Sequence, residues 1–328
     1  MQTVSPIQYA AAAVTRHPKN PVLAPSQVPY PSDLVFNAGV IKWQGQYVMV
    51  FRNDYNHKSG SAFEGTNIGL ASSPDGINWT VKPYPCFYMK DEEMLRAYDP
   101  RLTVIENRVY MTFAVDTRHG LRGGIATTED FVHFDVLSMT VPDNRNMVLF
   151  PERIGGMYVR LERPMPVYSR GGMDRFDIWI SSSPDMEFWG RSKLLASMED
   201  FPYANDKIGP GAPPIRTKEG WLTLIHTVDI DPGRGKNGWE DTWTKRYCAG
   251  IMLLDLSDPA KVLGISKTPL LSPETAYEIT DGFRTNVIFP TGLIAEDDGT
   301  CKIYYGASDT VIALATARIQ DLVDLCLK

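Results

Sequence analysis

Val40-Ile41-Lys42-Trp43-Gln44-Gly45-Gln46-Tyr47-Val48-Met49-Val50-Phe51 reads as a strand, a tight turn and a returning strand. Apolar, β-branched and aromatic residues flank Gln44-Gly45, and such residues fit a pleated, buried surface. The pattern returns at 102–113, at 149–161 around Gly155-Gly156, at 214–226 around Lys218-Glu219-Gly220, and at 292–306 around Asp297-Asp298-Gly299. A second strand pair follows each copy, at 67–79, 123–134, 177–189, 249–262 and 311–322. Two of these carry Ser73-Pro74-Asp75-Gly76 and Ser183-Pro184-Asp185-Met186, with proline where its fixed φ favours a turn. Two hairpins per unit, repeated in five units, predict an all-β, five-bladed β-propeller. A two-sheet sandwich or a split all-β chain accounts less well for five paired repeats. Helical periodicity is scarce, and residues 321–327 read as either a short terminal helix or a closing strand. The expectation is one domain over residues 1–328, with 1–30 as an extension packing on or closing the propeller.

Composition bounds the function. The chain has 328 residues, 43% hydrophobic, with a net charge of −6. That charge argues against a nucleic-acid partner and gives no reason to expect a membrane surface. No apolar run approaches the roughly 20 residues of a membrane span, and the N-terminus lacks the basic n-region of an export signal. Cys86, Cys248, Cys301 and Cys326 are scattered without metal-ligand spacing, so reduced thiols and a cytoplasmic location are expected. The sequence leaves homo-oligomer formation open.

In a propeller, loops at one end of the central tunnel build the site, so polar residues at strand ends are the candidates. Residues 144–164 form two extended runs joined by Gly155-Gly156, a hairpin signature. Its outer ends bring Arg145 and Arg163 close together. Paired guanidiniums suit an oxyanion with several acceptors, such as phosphate. Alternatively, each arginine pairs with a local carboxylate such as Glu152 or Glu162. Lys207, before Gly209 and Pro210, and His226 fall at strand ends in the same region, and four potential cations at one rim strengthen the anion reading. Tyr247 opens the following hairpin. Arg52 with Asp54 concentrates donors and acceptors suited to sugar hydroxyls, or forms a surface ion pair. Asn37 and Asp309 are polar groups at other strand ends, and a turn cap is the plainer reading of Asn37. Asp99, held extended before Pro100, is either a general acid or a turn aspartate paired with Arg101.

In order along nearly the whole chain, Phe36-Asn37-Ala38-Gly39-Val40, Val50-Phe51-Arg52, Tyr98-Asp99-Pro100-Arg101, Asn144-Arg145-Asn146, Arg163-Pro164, Lys207-Ile208-Gly209 and Tyr304-Tyr305-Gly306-Ala307-Ser308-Asp309-Thr310 resemble glycoside hydrolase family 130, the inverting mannoside phosphorylases. The family is a five-bladed propeller. The short N-terminus resembles its branch acting on β-1,4-mannosides and mannooligosaccharides. The resemblance implies Asp99 as proton donor. It implies phosphate contacts from Arg145, Asn146, Arg163, Lys207, His226 and Tyr247. Asn37, Arg52 and Asp309 match positions around the mannosyl group. Two departures stand out. Ala38 occupies a position where relatives often have serine, and the 229–245 segment, with Trp239 and Trp243, looks longer than in some relatives.

Ordinary inverting glycosidases need an acid and a base. Phosphate is already an anion and needs no base, so one carboxylic acid and a cationic cradle suffice. The expectation is therefore a mannoside and inorganic phosphate as co-substrates, with no cofactor and no metal. For Asp99 to act as an acid near neutral pH, its pKa must be raised by burial or by a nearby negative group.

Overall fold

The computed structural model describes residues 13–165, 176–234 and 244–328. Its strands form five separate antiparallel sheets in the arrangement of a five-bladed β-propeller. The first blade comprises Leu34–Trp43, Gln46–Ser59, Ala62–Ser73 and Thr80–Val81. The second comprises Met94–Ile105, Arg108–Thr117, Gly120–Thr128 and Asp135–Met139. The third comprises Asn144–Leu149, Tyr158–Pro164, Ile178–Ser183 and Gly190–Ala196. In the fourth, Lys207–Pro210 and Ile215–Arg216 both pair with Trp221–Ile230, followed by Lys245–Leu254 and Val262–Ile265. Each of the five sequence repeats coincides with the first hairpin of a blade.

The strands are apolar on both faces because each blade is packed between two others. Side chains alternate along a strand, so neighbours serve different interfaces. In the first blade, Val48 and Val50 pack toward the second, while Met49 and Phe51 pack toward the fifth. Five hydrophobic clusters fill the five blade-to-blade junctions, and the one joining Val40 and Met49 to Tyr304 and Leu314 closes the ring. The turns before the outer strands use one device repeatedly. Ser73 and Asp75, Thr128 and Asp130, and Ser183 and Asp185 accept hydrogen bonds from the backbone N–H groups just ahead of them.

The last blade departs from the expected pattern. Ile288–Ala295, Thr300–Ala307 and Val311–Arg318 supply three strands, and Ile319–Leu327 is a helix, not a strand. Leu322, Val323 and Cys326 recur at helical spacing and are buried against the core. The fourth strand is Val14–Arg16, paired antiparallel with Val311–Arg318. Arg16 secures it: its guanidinium binds the fully buried Glu278 at 2.8 Å.

Candidate functional site

The innermost strands of the first three blades share a distortion. Each carries a bulge, at Phe36/Gly39, Tyr98/Arg101 and Arg145/Val148. Within each bulge one residue takes a left-handed backbone: Asn37 at φ 51°, Asp99 at 53° and Asn146 at 58°, so Asp99 is not held extended as its place before Pro100 predicts; the bulge overrides that preference. Asn and Asp tolerate this conformation better than other side chains. The bulge re-aims a side chain that would otherwise lie in the sheet. Three equivalent positions thereby line one central cavity of about 330 Å³.

All the sequence candidates meet there. Asn37, Arg52 and Asp54 come from the first blade, Asp99 from the second, Arg145, Asn146 and Arg163 from the third, Lys207, His226 and Tyr247 from the fourth, and Asp309 from the turn after Thr300–Ala307 in the fifth. Sequence reasoning missed Lys245, Arg284, Tyr98 and Phe63, which also line it. Lys245 lies two residues before Tyr247 on the same strand, a spacing that could have marked it. Arg284 sits in an irregular loop with no such mark. Trp239, Trp243 and the rest of 235–243 lie outside the described residues.

One side of the cavity is acidic and hydrogen-bonded. Asp99 Oδ1 accepts from Asn37 Nδ2 at 2.9 Å and meets Arg52 Nη1 at 3.4 Å. Arg52 also pairs with Asp54 at 2.7 Å; Asp54 is buried and Arg52 partly so, and the pair faces the cavity, not the outer surface. Asp309 pairs with Arg284 at 3.1 Å. Arg101 does not bond the Asp99 carboxylate. It donates to the backbone carbonyls of Asp99 and Pro100, both at 3.0 Å, and to that of Gly211 at 2.6 Å. The acidity of Asp99 is opposite to expectation. Burial pushes its pKa up, but Arg52, Arg101, the Asn37 bond and Arg145 together hold it below the ordinary carboxylate value. Asp309 moves the other way, raised chiefly by burial.

The opposite side is cationic. Arg145 and Arg163 are cross-strand partners. Neither is engaged by the local carboxylates: Glu162 pairs with Arg160 and Glu152 with Arg216. Arg145 Nε and Arg163 Nε and Nη2 are buried without a hydrogen-bond partner. Burial, then the Arg145 charge, brings the Arg163 pKa down to about 9. Burial, then Arg163 and Lys245, brings Lys207 down to about 6. Asp206 compensates both lysines, at 2.9 Å from Lys245 Nζ and 3.5 Å from Lys207 Nζ.

His226 is not a fourth cation. It is fully buried, and burial followed by Arg163 and Lys207 pushes its pKa well below the ordinary histidine value. Arg163 Nη1 lies 3.3 Å from Nε2. A guanidinium can only donate, so Nε2 accepts and the ring proton sits on Nδ1. Gly209 makes room for the ring, since a Cβ there would collide with His226 Cε1. The extra cation is Lys245. A partly buried set of donors with unspent N–H groups on Arg145 and Arg163 is built to take an oxyanion with several acceptors.

The sequence profile of glycoside hydrolase family 130, described as β-1,4-mannooligosaccharide phosphorylase, matches residues 8–328. The chain belongs to glycoside hydrolase family 130. It is 33% identical to the β-1,4-mannooligosaccharide phosphorylase of Ruminococcus albus, over 95% of this chain and 90% of that one. It is 34% identical to a β-1,2-mannobiose phosphorylase of Listeria innocua, over 78% of this chain and 67% of that one. A solved complex of the Listeria innocua β-1,2-mannobiose phosphorylase with β-1,2-mannobiose superimposes with a TM-score of 0.82 at 27% identity, covering 95% of this chain and 99% of that one. As an enzyme of this family, the chain sits among relatives named for both β-1,2 and β-1,4 linkages.

Proposed function

We propose that the protein catalyses inverting phosphorolysis of β-mannosides, releasing α-mannose 1-phosphate and a shortened sugar. The observation that carries this reading is the cross-strand Arg145–Arg163 pair with Lys207 and Lys245 beside it, facing Asp99 across one cavity. Phosphate held on the cationic side attacks the anomeric carbon from the face opposite the leaving sugar. The C1–O(phosphate) bond forms as the glycosidic C1–O bond breaks. Asp99 delivers a proton to the leaving oxygen, and the family resemblance routes that proton through the mannosyl 3-hydroxyl. Bound phosphate supplies the negative charge that offsets Arg145 and raises the Asp99 pKa, so the acid forms when the co-substrate is present. Asn37, Arg52 and Asp309 orient the mannosyl group. No cofactor enters this scheme.

β-1,4-Linked mannooligosaccharides are the substrates proposed first, matching the family profile and the Ruminococcus albus relative. A β-1,2 preference is the second reading, favoured by the 34% identity to the Listeria innocua enzyme. A hydrolase needs a second carboxylate free to activate water; among the described residues, Asp206, the carboxylate beside the cationic cradle, is engaged by two lysines. The test is release of mannose 1-phosphate from β-1,4- and β-1,2-mannobiose with and without phosphate. Product only with phosphate supports phosphorolysis. Free mannose in both conditions overturns it.

A further inference from the structure

A second cavity, of about 610 Å³, lies between the second and third blades. It shares a strand with the central site. Arg163 on Tyr158–Pro164 lines the central cavity, whereas Arg160 and Glu162 line the inter-blade one. Arg160 and Glu162 are 6% and 4% exposed, so charge has been buried here at a cost in desolvation. Glu162 Oε2 accepts from Arg160 Nη2 and Asn144 Nδ2, both at 2.7 Å. Asn144 Oδ1 is also buried without a partner. The Arg160 guanidinium lies 4.2 Å from the Trp189 ring centroid. Trp179 and Phe188, the latter 69% exposed, complete an aromatic wall. Asp143 and Glu187 add negative charge, so the described lining residues are net acidic, unlike the phosphate cradle.

Aromatic faces with a few fixed donors and acceptors suit a ligand that is apolar on one face and hydroxylated at its edges. The acidic balance disfavours anions. The volume is within the range of small-molecule sites. We infer that the inter-blade cavity is a second carbohydrate site, separate from the one containing Asp99, and that it takes a neutral mannosyl oligosaccharide. The choice of mannosyl sugar rests on the proposed function; the existence of the site does not.

The experiment is calorimetric titration of the full chain with β-1,4- and β-1,2-mannotriose in phosphate-free buffer, with free sugar assayed in parallel. Wild type is expected to show two sites per chain for one of the trisaccharides. The Trp179→Ala/Phe188→Ala variant is expected to show one site and to keep mannobiose phosphorolysis within about twofold. Phe188→Ala alone, at an exposed position, should weaken the second site about tenfold without disturbing the fold. An equal number of sites in wild type and double variant overturns the inference, as does a single site in wild type for both sugars. Mannose released without phosphate is read separately: it removes the phosphorylase assignment, and the sites are then counted by the same titration in the Asp99→Asn background, which lacks the proton donor.

Discussion

Arg145 and Arg163 stand directly opposite each other on adjacent strands of the third blade, Arg163 fully buried and Arg145 partly so. Directly opposed like charges destabilise a sheet. The hairpin nevertheless holds them together, and they respond differently. Tyr98 and Asp99 outweigh burial at Arg145 and keep its pKa above the usual value, whereas Arg163 is lowered. Arg163 is therefore the member of the pair with the most to gain from an incoming anion.

Substituting Arg163 with lysine should damage phosphate use far more than sugar binding. Lysine keeps a charge but loses the planar fork and its parallel bonds. Hydrogen bonds to charged groups contribute about 1.5–3 kcal/mol each, so KM for phosphate is expected to rise roughly tenfold to hundredfold, with the fold intact. Steady-state kinetics with phosphate varied at saturating sugar measure this. An unchanged phosphate KM would remove Arg163 from the cradle.

Asp99→Asn should reduce turnover by about 10²–10⁴, the usual range for a general acid. It also makes a prediction about stability. The Asp99 pKa is lower in the folded protein than its ordinary value of about 3.9. A carboxylate of that kind stabilises the fold above its unfolded pKa, and the contribution is lost as pH falls through the folded value. Wild type should therefore exceed Asp99→Asn in stability at pH 7, and the gap should close below about pH 4. Urea unfolding at the two pH values checks it. A gap independent of pH would mean that Asp99 is not anionic in the free protein.

The blades were legible because their physics is local. Alternating apolar runs with glycine turns specify hairpins, and the hairpin at Gly155-Gly156 placed Arg145 beside Arg163. The outer strand of the last blade was not legible. Val14-Thr15-Arg16 is too short to carry a pattern, and its partner lies at the far end of the chain. The shared bulge was written in the sequence but unrecognised: Phe36-Asn37, Tyr98-Asp99 and Arg145-Asn146 lie within equivalent strands, each with a residue tolerant of positive φ. The charge state of His226 and the acidity of Asp99 could not be read along the chain. They arise from burial and from cations contributed by several blades.

Lys207 should change protonation when phosphate binds. Its pKa of about 6 leaves it largely neutral at pH 7.5 in the absence of an anion. A bound phosphate favours the ammonium and raises that pKa, so the lysine takes up a proton. Calorimetry of phosphate binding in buffers of different ionisation enthalpy reports the proton count. Lys207→Met should take up fewer protons than wild type between pH 7 and 8, and bind phosphate more weakly. Identical proton counts would show that Lys207 is already charged.

Arg101 offers a separation of position from binding. Its side chain is 1% exposed, and it ties Asp99 and Pro100 of the second blade to Gly211, beyond Lys207–Pro210 in the fourth. It thus holds the backbone that carries Asp99 at φ 53°. Lysine cannot reproduce three carbonyl contacts from one planar group. Arg101→Lys is expected to lower kcat about a hundredfold, because an acid displaced by even 1 Å loses that much. The KM for phosphate should change only a few-fold, since the arginine pair on the third blade is untouched. The melting temperature should fall by a few degrees, as expected for a 328-residue chain losing one or two kcal/mol. A rise in phosphate KM as large as the fall in kcat would instead make Arg101 part of the anion cradle.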